Sequence, residues 1–212
     1  MREKTIIQTN IKNLSLVKKR RQQIFDAAIK LFSKKGFHST TLREISKESG
    51  ITLGNLYDYI NTKEDLLYII QEKATEAVRE KVLGGEENPK SLNPVEALKK
   101  LIDSELNAMD KYQDLILIIY QESHAMGKET LKLLLKSERG HLKQYENLIN
   151  TGIKEGHFRR CNVRVAANLI KMLIDTWVIK RWDLRGKSAR VDIEEMRQGI
   201  HGFVFNGILA RN

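Results

Sequence analysis

The sequence predicts an all-α protein. Its 212 residues include only two prolines and thirteen glycines, and long segments contain neither, which favours helices over a many-stranded sheet. Apolar side chains recur every three or four residues along most of the chain, which is the period of an amphipathic helix. With 41% hydrophobic and 30% charged residues, the composition is globular and not disordered.

The chain is predicted to begin with an arm and a helix. Residues 1–17 lack a clear helical period and are predicted to form a flexible basic arm. Over residues 18–35 the apolar side chains return at helical spacing, and Gly36 is predicted to end this first helix.

Two short helices and a long one are predicted next. Thr41 begins a capping box, in which its hydroxyl binds the amide of Glu44 and the Glu44 carboxylate reaches back. The helix that follows is predicted to end at Gly50, because glycine adopts left-handed geometry at little cost. Thr52 is predicted to cap the second short helix. A further cap precedes a long helix over about 63–83.

The remainder of the chain is also predicted to be helical. The segment 84–94, GGEENPKSLNP, holds paired glycines and both prolines, and it is the plainest linker in the sequence. Pro94 follows the capping residue Asn93, at the first helical position that proline favours. The later helices are predicted over about 94–110, 113–126, 128–155, 163–185 and 193–209, and Asp192 is predicted to cap the last of them.

The net charge of +10 is concentrated near the N terminus. Between Val17 and Lys47, nine basic residues stand against two acidic ones. A block of like charge is usually a solvated face, but its concentration in one small module favours a polyanionic partner such as nucleic acid.

Other classes of protein are disfavoured by the sequence. No apolar run approaches the ~18 residues of a membrane span, and no apolar block resembles a secretory signal, so we expect a cytoplasmic protein without a membrane partner. The single cysteine, Cys161, excludes an internal disulfide and a four-cysteine zinc site. The chain has no GxSxG, Walker, GxGxxG or HExxH motif and its five histidines are scattered. We therefore expect no enzyme, metal or cofactor.

The stretch over 40–65, TTLREISKESGITLGNLYDYINTKED, indicates a helix-turn-helix. In that motif the second helix enters the major groove of DNA while the first crosses the backbone. The phrase IxxESGIxxGxLYDYIxxKEDLL, residues 45–67, resembles the DNA-binding segment of tetracycline-repressor (TetR) type regulators, whose usual form is I-A-x-x-A-G-V-x-x-G-x-x-Y-x-Y/H-F-x-x-K-x-x-L.

The motif departs from that pattern at four positions. Ser46 and Ser49 stand where small alanines are usual, and both are small enough for close packing. Ile60 replaces the common phenylalanine. Asp58 lies inside the recognition helix, where a carboxylate would oppose a phosphate. We therefore expect Asp58 to turn to a cytosine amino group, a neighbouring Lys or Arg, or water.

The resemblance implies a set of DNA contacts. Hydroxyl, amide and phenol groups suit phosphate oxygens and base edges. Thr41 and the helix that it caps are expected to face a phosphate, and Arg43 to reach a phosphate or a guanine. The expected backbone clamps are Tyr57, Tyr59 and Lys63, and the expected base-reading residues are Thr52, Leu53, Gly54 and Asn55.

Each of these contacts has an alternative inside the protein. Thr41 is equally explained as a helix cap, Tyr57 as a partly buried core residue, and Lys63 as a solvated lysine. Gly54 would serve a close approach, either between two helices or between the backbone and DNA.

For the larger half, the resemblance implies a dimer with an effector pocket. By this comparison, residues 18–78 form the DNA-binding domain, with the motif at about 41–60, and residues 79–212 bind an effector and dimerise. The last two helices carry apolar stripes and three glycines that permit close helix approach, Gly199, Gly202 and Gly207; alternatively these stripes close the core of the monomer. The stripes contain Ala166, Leu169, Ile170, Leu173, Ile174, Trp177 and Val178, then Ile193, Met196, Ile200, Phe203, Val204 and Ile208.

A pocket for a small, largely apolar effector is expected among methionine and aromatic side chains, although such residues are often simply core. The segment over 177–187, WVIKRWDLRGK, resembles family members that respond to fatty-acyl or acyl-CoA effectors; a drug-like or aromatic effector is the alternative. The expected function is a ligand-responsive repressor that binds a palindromic operator as a homodimer, with a non-inducible architectural DNA binder as the alternative. The candidate effector-binding residues are Met109, Tyr120, His124, Tyr145, Met172, Trp177 and Arg181.

Overall fold

The prediction of an all-α fold is confirmed. The computed structural model describes residues 13–69, 92–123, 127–186 and 190–209, and within these ranges the chain forms helices and two isolated β-bridges. The helices are α1 (Leu14–Lys35), α2 (Leu42–Ser49), α3 (Leu53–Leu56), α4 (described over 65–69), α5 (Pro94–Lys111), α6 (Gln113–Glu122), α7 (Lys128–Lys154), α8 (Val163–Ile179), α9 (Arg181–Leu184) and α10 (Ile193–Ile208).

Side-chain caps begin these helices where the sequence predicts them. Thr41 closes a complete capping box at α2, and Asp192 closes another at α10. Asn93 caps α5, with Pro94 at the first helical position. Gly50 ends α2 in left-handed geometry, with φ 67° and ψ 19°. These local rules therefore place the helix ends within a few residues.

The first helix begins four residues earlier than predicted. The side-chain oxygen of Asn13 accepts the backbone N–H of Leu16 at 3.1 Å, which starts α1 at Leu14. Val17 is buried, so packing also holds this turn in place. The final residues of the predicted arm are thus helical, and residues 1–12 lie outside the described part of the chain.

One later prediction needs correction, and three others extend outside the described residues. The helix predicted over 163–185 is interrupted at Lys180, whose φ of −100° and ψ of 16° are not helical, so α8 and α9 are separate. Residues 124–126, at the end of the helix predicted over 113–126, are not described, and neither are residues 70–91, which hold the rest of the long helix and most of the linker.

The chain divides into two compact units. The first contains the described residues before 70 together with those of 114–135, and α2 packs there against α1 and α3. The second contains the described residues of 92–113 and those from 136 onward. In this second unit α8 packs against α5, α9 and α10, and α5 also contacts α10.

A glycine allows the end of α7 to close against the end of α10. A side chain at Gly152 would meet the ring of Phe158 at 2.1 Å, so the ring lies directly on the helix backbone. The backbone N–H groups of His157 and Phe158 donate to the carbonyl of Gly152, and that of Arg159 donates to Ile208 at 2.8 Å. The turn after α7 and the last residues of α10 therefore form one packed corner.

Candidate nucleic-acid interface

The start of α2 is tightly held by hydrogen bonds. The Thr41 hydroxyl donates to the Glu44 carboxylate at 2.8 Å and accepts the Glu44 N–H at 3.3 Å, while the Thr41 N–H donates to the same carboxylate at 2.9 Å. Lys35 also pairs with Glu44, and its hydrogen bond, followed by those from Thr41, lowers the pKa of Glu44 to about 2. The prediction of a cap is confirmed; a phosphate contact at Thr41 stays a prediction.

The turn between α2 and α3 is closed by two serines. The Ser46 hydroxyl donates to the carbonyl of Ile51 at 2.6 Å, and the Ser49 hydroxyl donates to the carbonyl of Ser46 at 3.1 Å. The backbone N–H of Ile51 donates to the Ser46 carbonyl as well. Serines at the positions where alanine is usual therefore add hydrogen bonds that fix the turn.

The short helix α3 separates a buried face from an exposed one. Thr52 caps it, accepting the N–H of Asn55 at 3.3 Å. Leu56 and Ile60 are buried, whereas Thr52, Gly54, Asn55, Tyr57 and Asp58 are exposed and Leu53 is half-buried. Six residues predicted to contact DNA or to lie beside it thus share one accessible segment, and Arg43 of α2 is also exposed.

Two of the predicted backbone clamps are used inside the protein. Tyr59 is only 4% exposed, so most of its side chain lies in the core, and a DNA contact from it stays a prediction. The Lys63 ammonium donates to the carbonyls of Phe37 and His38, at 2.8 and 3.4 Å, and lies 4.3 Å from the centre of the Phe37 ring. Lys63 therefore anchors the turn between α1 and α2, whereas Tyr57, which is 51% exposed, remains a candidate clamp.

Gly54 has no neighbour that requires a glycine. No described atom lies within 4 Å of the position that an added Cβ would take, so close approach between described helices does not explain this residue. The interpretation that remains from the sequence is close approach of the α3 backbone to DNA.

Alanine at Gly54 should therefore stabilise the fold and weaken DNA binding. The protein should gain roughly 0.4–1 kcal/mol in unfolding free energy, because alanine restricts the unfolded chain and meets no clash. Thermal denaturation and binding to a duplex selected by the wild-type protein measure the two effects. Gly152→Ala is the control, and it should lose about 1–3 kcal/mol because Phe158 fills its space. Unchanged DNA binding by Gly54→Ala would contradict the assigned contact.

One face of α1 is an open surface patch that sequence reasoning did not single out. Its side chains are spaced at three and four residues, and two of them are basic. The signal in the sequence was the basic run KKRR over 18–21, which begins at this patch. The lining residues are Ser15, Lys18, Lys19, Gln22 and Gln23.

The second unit contains a buried polar cluster on α5, α7 and α8. The Tyr145 hydroxyl donates to Glu105, and the Lys171 ammonium lies 3.4 Å from the other Glu105 oxygen and also pairs with Asp175. The His141 Nε2 is 2.9 Å from Glu105, close enough for an ion pair. All five side chains are buried.

The pKa values in this cluster reflect competition between burial and charge. Burial alone would raise the pKa of Glu105, but the charges of Lys171 and His141 outweigh it and lower the pKa to about 2. Burial would lower the pKa of His141, yet Glu105 raises it. Burial raises the pKa of the neighbouring Glu138, and burial together with Glu105 places the pKa of Tyr145 well above 10.

The predicted effector-binding residues do not all meet at one place. Tyr145 belongs to the buried cluster, and Met109 is buried on α5. Trp177 donates from its ring to Asp110 at 3.0 Å, and the guanidinium of Arg185 lies 4.1 Å from the centre of its ring. Sequence reasoning identified Tyr145 and Trp177 but missed the charged residues that they contact. The only sign of those residues in the sequence was a charge within an apolar stripe.

The remaining predicted effector residues are exposed or outside the description. Met172 is 54% exposed on α8, and its role in effector binding stays a prediction. Tyr120 is exposed in the first unit, and Arg181 is half-buried. His124 lies outside the described residues.

Neither a membrane span nor a metal cluster is found in the described residues. Among them, no helix has the length and apolar character needed to cross a membrane. Nor does this part of the chain contain a group of three His, Cys, Asp or Glu side chains arranged to hold a metal ion.

Two sequence profiles of known protein families match the chain. That of bacterial regulatory proteins of the tetR family matches residues 24–68, and that of the tetracyclin repressor-like C-terminal domain matches residues 91–201. The chain is 26% identical over 187 residues to the fatty acid metabolism regulator protein of Bacillus subtilis (strain 168), covering 84% of this chain and 94% of that protein. It is 29% identical over 180 residues to the HTH-type transcriptional repressor KstR2 of Rhodococcus jostii (strain RHA1), covering 82% and 84%.

Solved structures share the fold. The crystal structure of AibR in complex with isovaleryl coenzyme A and operator DNA has a TM-score of 0.67 to this chain and is 22% identical in sequence. The match covers 88% of this chain and 98% of that one.

Proposed function

Since the chain belongs to the tetR family of bacterial regulatory proteins, we propose that it is a cytoplasmic, ligand-responsive transcriptional repressor. It binds a palindromic operator as a homodimer and is released by a small, largely apolar effector. It acts through binding and not through catalysis. Residues 18–78 are the DNA-binding domain, and residues 79–212 bind the effector and dimerise.

The observation that carries this proposal is the exposed segment at α3. Thr52, Gly54, Asn55 and Tyr57 are accessible together on a helix-turn-helix in which α2 packs against both α1 and α3. Short polar side chains at the start of such a helix suit base edges, and a phenol suits a phosphate. The architectural alternative, a DNA binder without an effector, lacks a specific observation in its favour.

An exposed apolar surface supports the homodimer. On α8, Val165, Leu169 and Met172 are each more than half exposed, and on α10 Phe203 is 78% exposed. The two helices pack against each other within the second unit. A twofold axis beside them would pair this stripe with its own copy and bury it.

The stripes predicted from the sequence therefore serve two purposes. Ile170, Ile174, Ile200 and Val204 are buried and close the core of the protomer, whereas Leu169 and Phe203 point outward. Gly199 and Gly202 of α10 have no described atom within 4 Å of an added Cβ, so the glycines leave room that a partner helix would occupy.

For the effector we propose a fatty-acyl or acyl-CoA compound. The curated relative from Bacillus subtilis regulates fatty acid metabolism by name. Trp182 is exposed after α8 and Lys180 lies beside its ring, so together they offer a cation and an aromatic ring to a nucleotide. Arg185 is committed instead to Asp110, Gln113 and the Trp177 ring.

The DNA contacts are tested by two variants with different expected patterns. Asn55→Ala should relax discrimination at one base pair and cost about 1–3 kcal/mol on the specific site alone. Tyr57→Phe removes a proposed phosphate contact and should weaken binding to specific and to random DNA by the same factor. Titrations on a duplex selected by the wild-type protein and on a scrambled duplex separate these patterns. Equal losses on both duplexes for Asn55→Ala would remove it from the base-reading set.

The switch is tested by thermodynamic linkage. An effector that lowers operator affinity must itself bind less tightly in the presence of operator, by the same factor of roughly 5–150. Calorimetric titration of long-chain acyl-CoA, with and without saturating operator, measures the effector affinity in both states. If every acyl-CoA bound equally well in both states, the chain would be a DNA binder with an incidental ligand, and the repressor switch would be rejected.

A further inference from the structure

The turn between α1 and α2 makes a charged contact with the end of α6. The Nε2 atom of His38, in that turn, lies 2.7 Å from an Oε atom of Glu122, the last residue of α6. Both residues belong to the first unit. The DNA contacts proposed for α2 and α3 use neither of them.

The Glu122 carboxylate is buried. Its side chain is 10% exposed, whereas that of His38 is 78% exposed. Within the described part of the chain, His38 is the charged partner of this carboxylate. A buried charge that loses its partner is strongly unfavourable. The end of α6 therefore has a reason to stay beside the turn.

The position of this turn determines where α2 begins. Thr40 is buried in the turn, and its hydroxyl donates to the carbonyl of Gly36 at 2.8 Å. The next residue, Thr41, caps α2. From the opposite end of the motif, Lys63 holds the carbonyls of Phe37 and His38. A shift of His38 would therefore be passed directly to the helix-turn-helix.

The contact also joins two parts of the family architecture. The matched profile of the C-terminal domain spans 91–201 and so includes Glu122, yet the segment 114–135 clusters with the DNA-binding helices. We propose that Glu122 is a positioning residue, which holds the turn through His38 and keeps α2 and α3 in the arrangement that binds DNA. This inference rests on the proposed function.

A double-mutant cycle tests the pair. Operator duplex selected by the wild-type protein is titrated with wild type, Glu122→Gln, His38→Gln and the double variant. Each single change should weaken binding by at least about fivefold, and the double variant should be no weaker than the singles, because both remove the same contact. Glu155→Gln is the matched control, since Glu155 pairs with His157 outside the first unit. It should bind like wild type.

Two readouts separate positioning from simple loss of structure. His38→Lys, which keeps a cation beside Glu122, should bind the operator more tightly than His38→Gln. Wild-type affinity in either single variant, or losses that multiply in the double variant, would overturn the proposal. Amide hydrogen exchange over residues 37–45, without DNA, should be faster in Glu122→Gln. Unchanged exchange would also overturn it, even if no duplex bound the wild-type protein and the proposed function failed.

Discussion

Phe203→Glu should convert the protein to a monomer and abolish tight operator binding. Phe203 is the most exposed of the large apolar side chains in the described residues, at 78%. Glutamate there would place a charge inside the proposed twofold interface, where a buried unpaired charge is strongly disfavoured. A dimer that holds two half-sites at once gains roughly 100- to 10,000-fold over one module, so operator affinity should fall by about that factor.

Sedimentation velocity measures the change in mass, and operator titration measures the change in affinity. The matched control is Leu135→Glu, which places the same charge at another exposed apolar residue, on α7 and not on the α8 and α10 stripe. It should remain a dimer and bind the operator normally. Circular dichroism checks that both variants stay helical. A Phe203→Glu protein that stayed dimeric would exclude this surface as the interface.

Lys171→Met should strongly destabilise the folded protein. Lys171 is buried between Glu105 and Asp175, both of which are buried as well. Methionine preserves most of the side-chain volume but removes the cation that these two carboxylates share. Breaking a buried pair in this way costs about 3–5 kcal/mol. Urea unfolding at a fixed protein concentration measures the loss, because the stability of a dimer depends on concentration.

The control for this prediction is an ion pair at the surface. Arg139 makes a bidentate contact with Glu146 on the outside of α7, at 2.7 Å for each bond. Arg139→Met should cost no more than about 1 kcal/mol, since exposed pairs contribute little. If Lys171→Met does not fold, Lys171→Arg, which keeps the charge, provides a milder comparison. A stability loss for Lys171→Met as small as that for Arg139→Met would show that the cluster does not depend on its lysine.

The same cluster predicts how stability changes in acid. The pKa of Glu105 falls from 4.5 to about 2 on folding, so its contribution is complete above pH 4.5 and is lost as pH falls toward 2. A shift of that size corresponds to about 3 kcal/mol. The raised pKa of His141 acts in the opposite direction, because its contribution is complete below pH 6.5 and is lost as pH rises through the folded value. Glu105→Gln should remove the acid-side loss, which urea unfolding at a series of pH values measures.

The features that were predicted well from the sequence are determined by residues close together in the chain. The capping boxes at Thr41 and Asp192, the proline at the start of α5 and the left-handed Gly50 follow rules that act within four residues. The helix-turn-helix was predicted from the same local spacing. For this reason the helix ends and the exposed start of α3 could be predicted without knowing how the chain packs.

The features that sequence missed depend on partners distant in the chain. Lys63 anchors carbonyls twenty-five and twenty-six residues earlier, and nothing in the sequence around Lys63 indicates this. Tyr59 and Tyr57 differ by two positions, yet only packing decides that one is buried and the other exposed. The cluster around Glu105 joins residues on α5, α7 and α8. A charged residue in an apolar stripe signals such a cluster, but it does not identify the partners.

The capping box at α2 changes what DNA would meet at this helix. The carboxylate of Glu44 already accepts the Thr41 N–H and the Thr41 hydroxyl, and Lys35 balances its charge. A carboxylate therefore lies beside the place that a phosphate is expected to take at a helix start. A phosphate arriving there would meet a neighbouring anion that Lys35 already neutralises. The long-range attraction of the protein for DNA must then come from side chains such as Lys18, Lys19 and Arg43, and not from the start of α2.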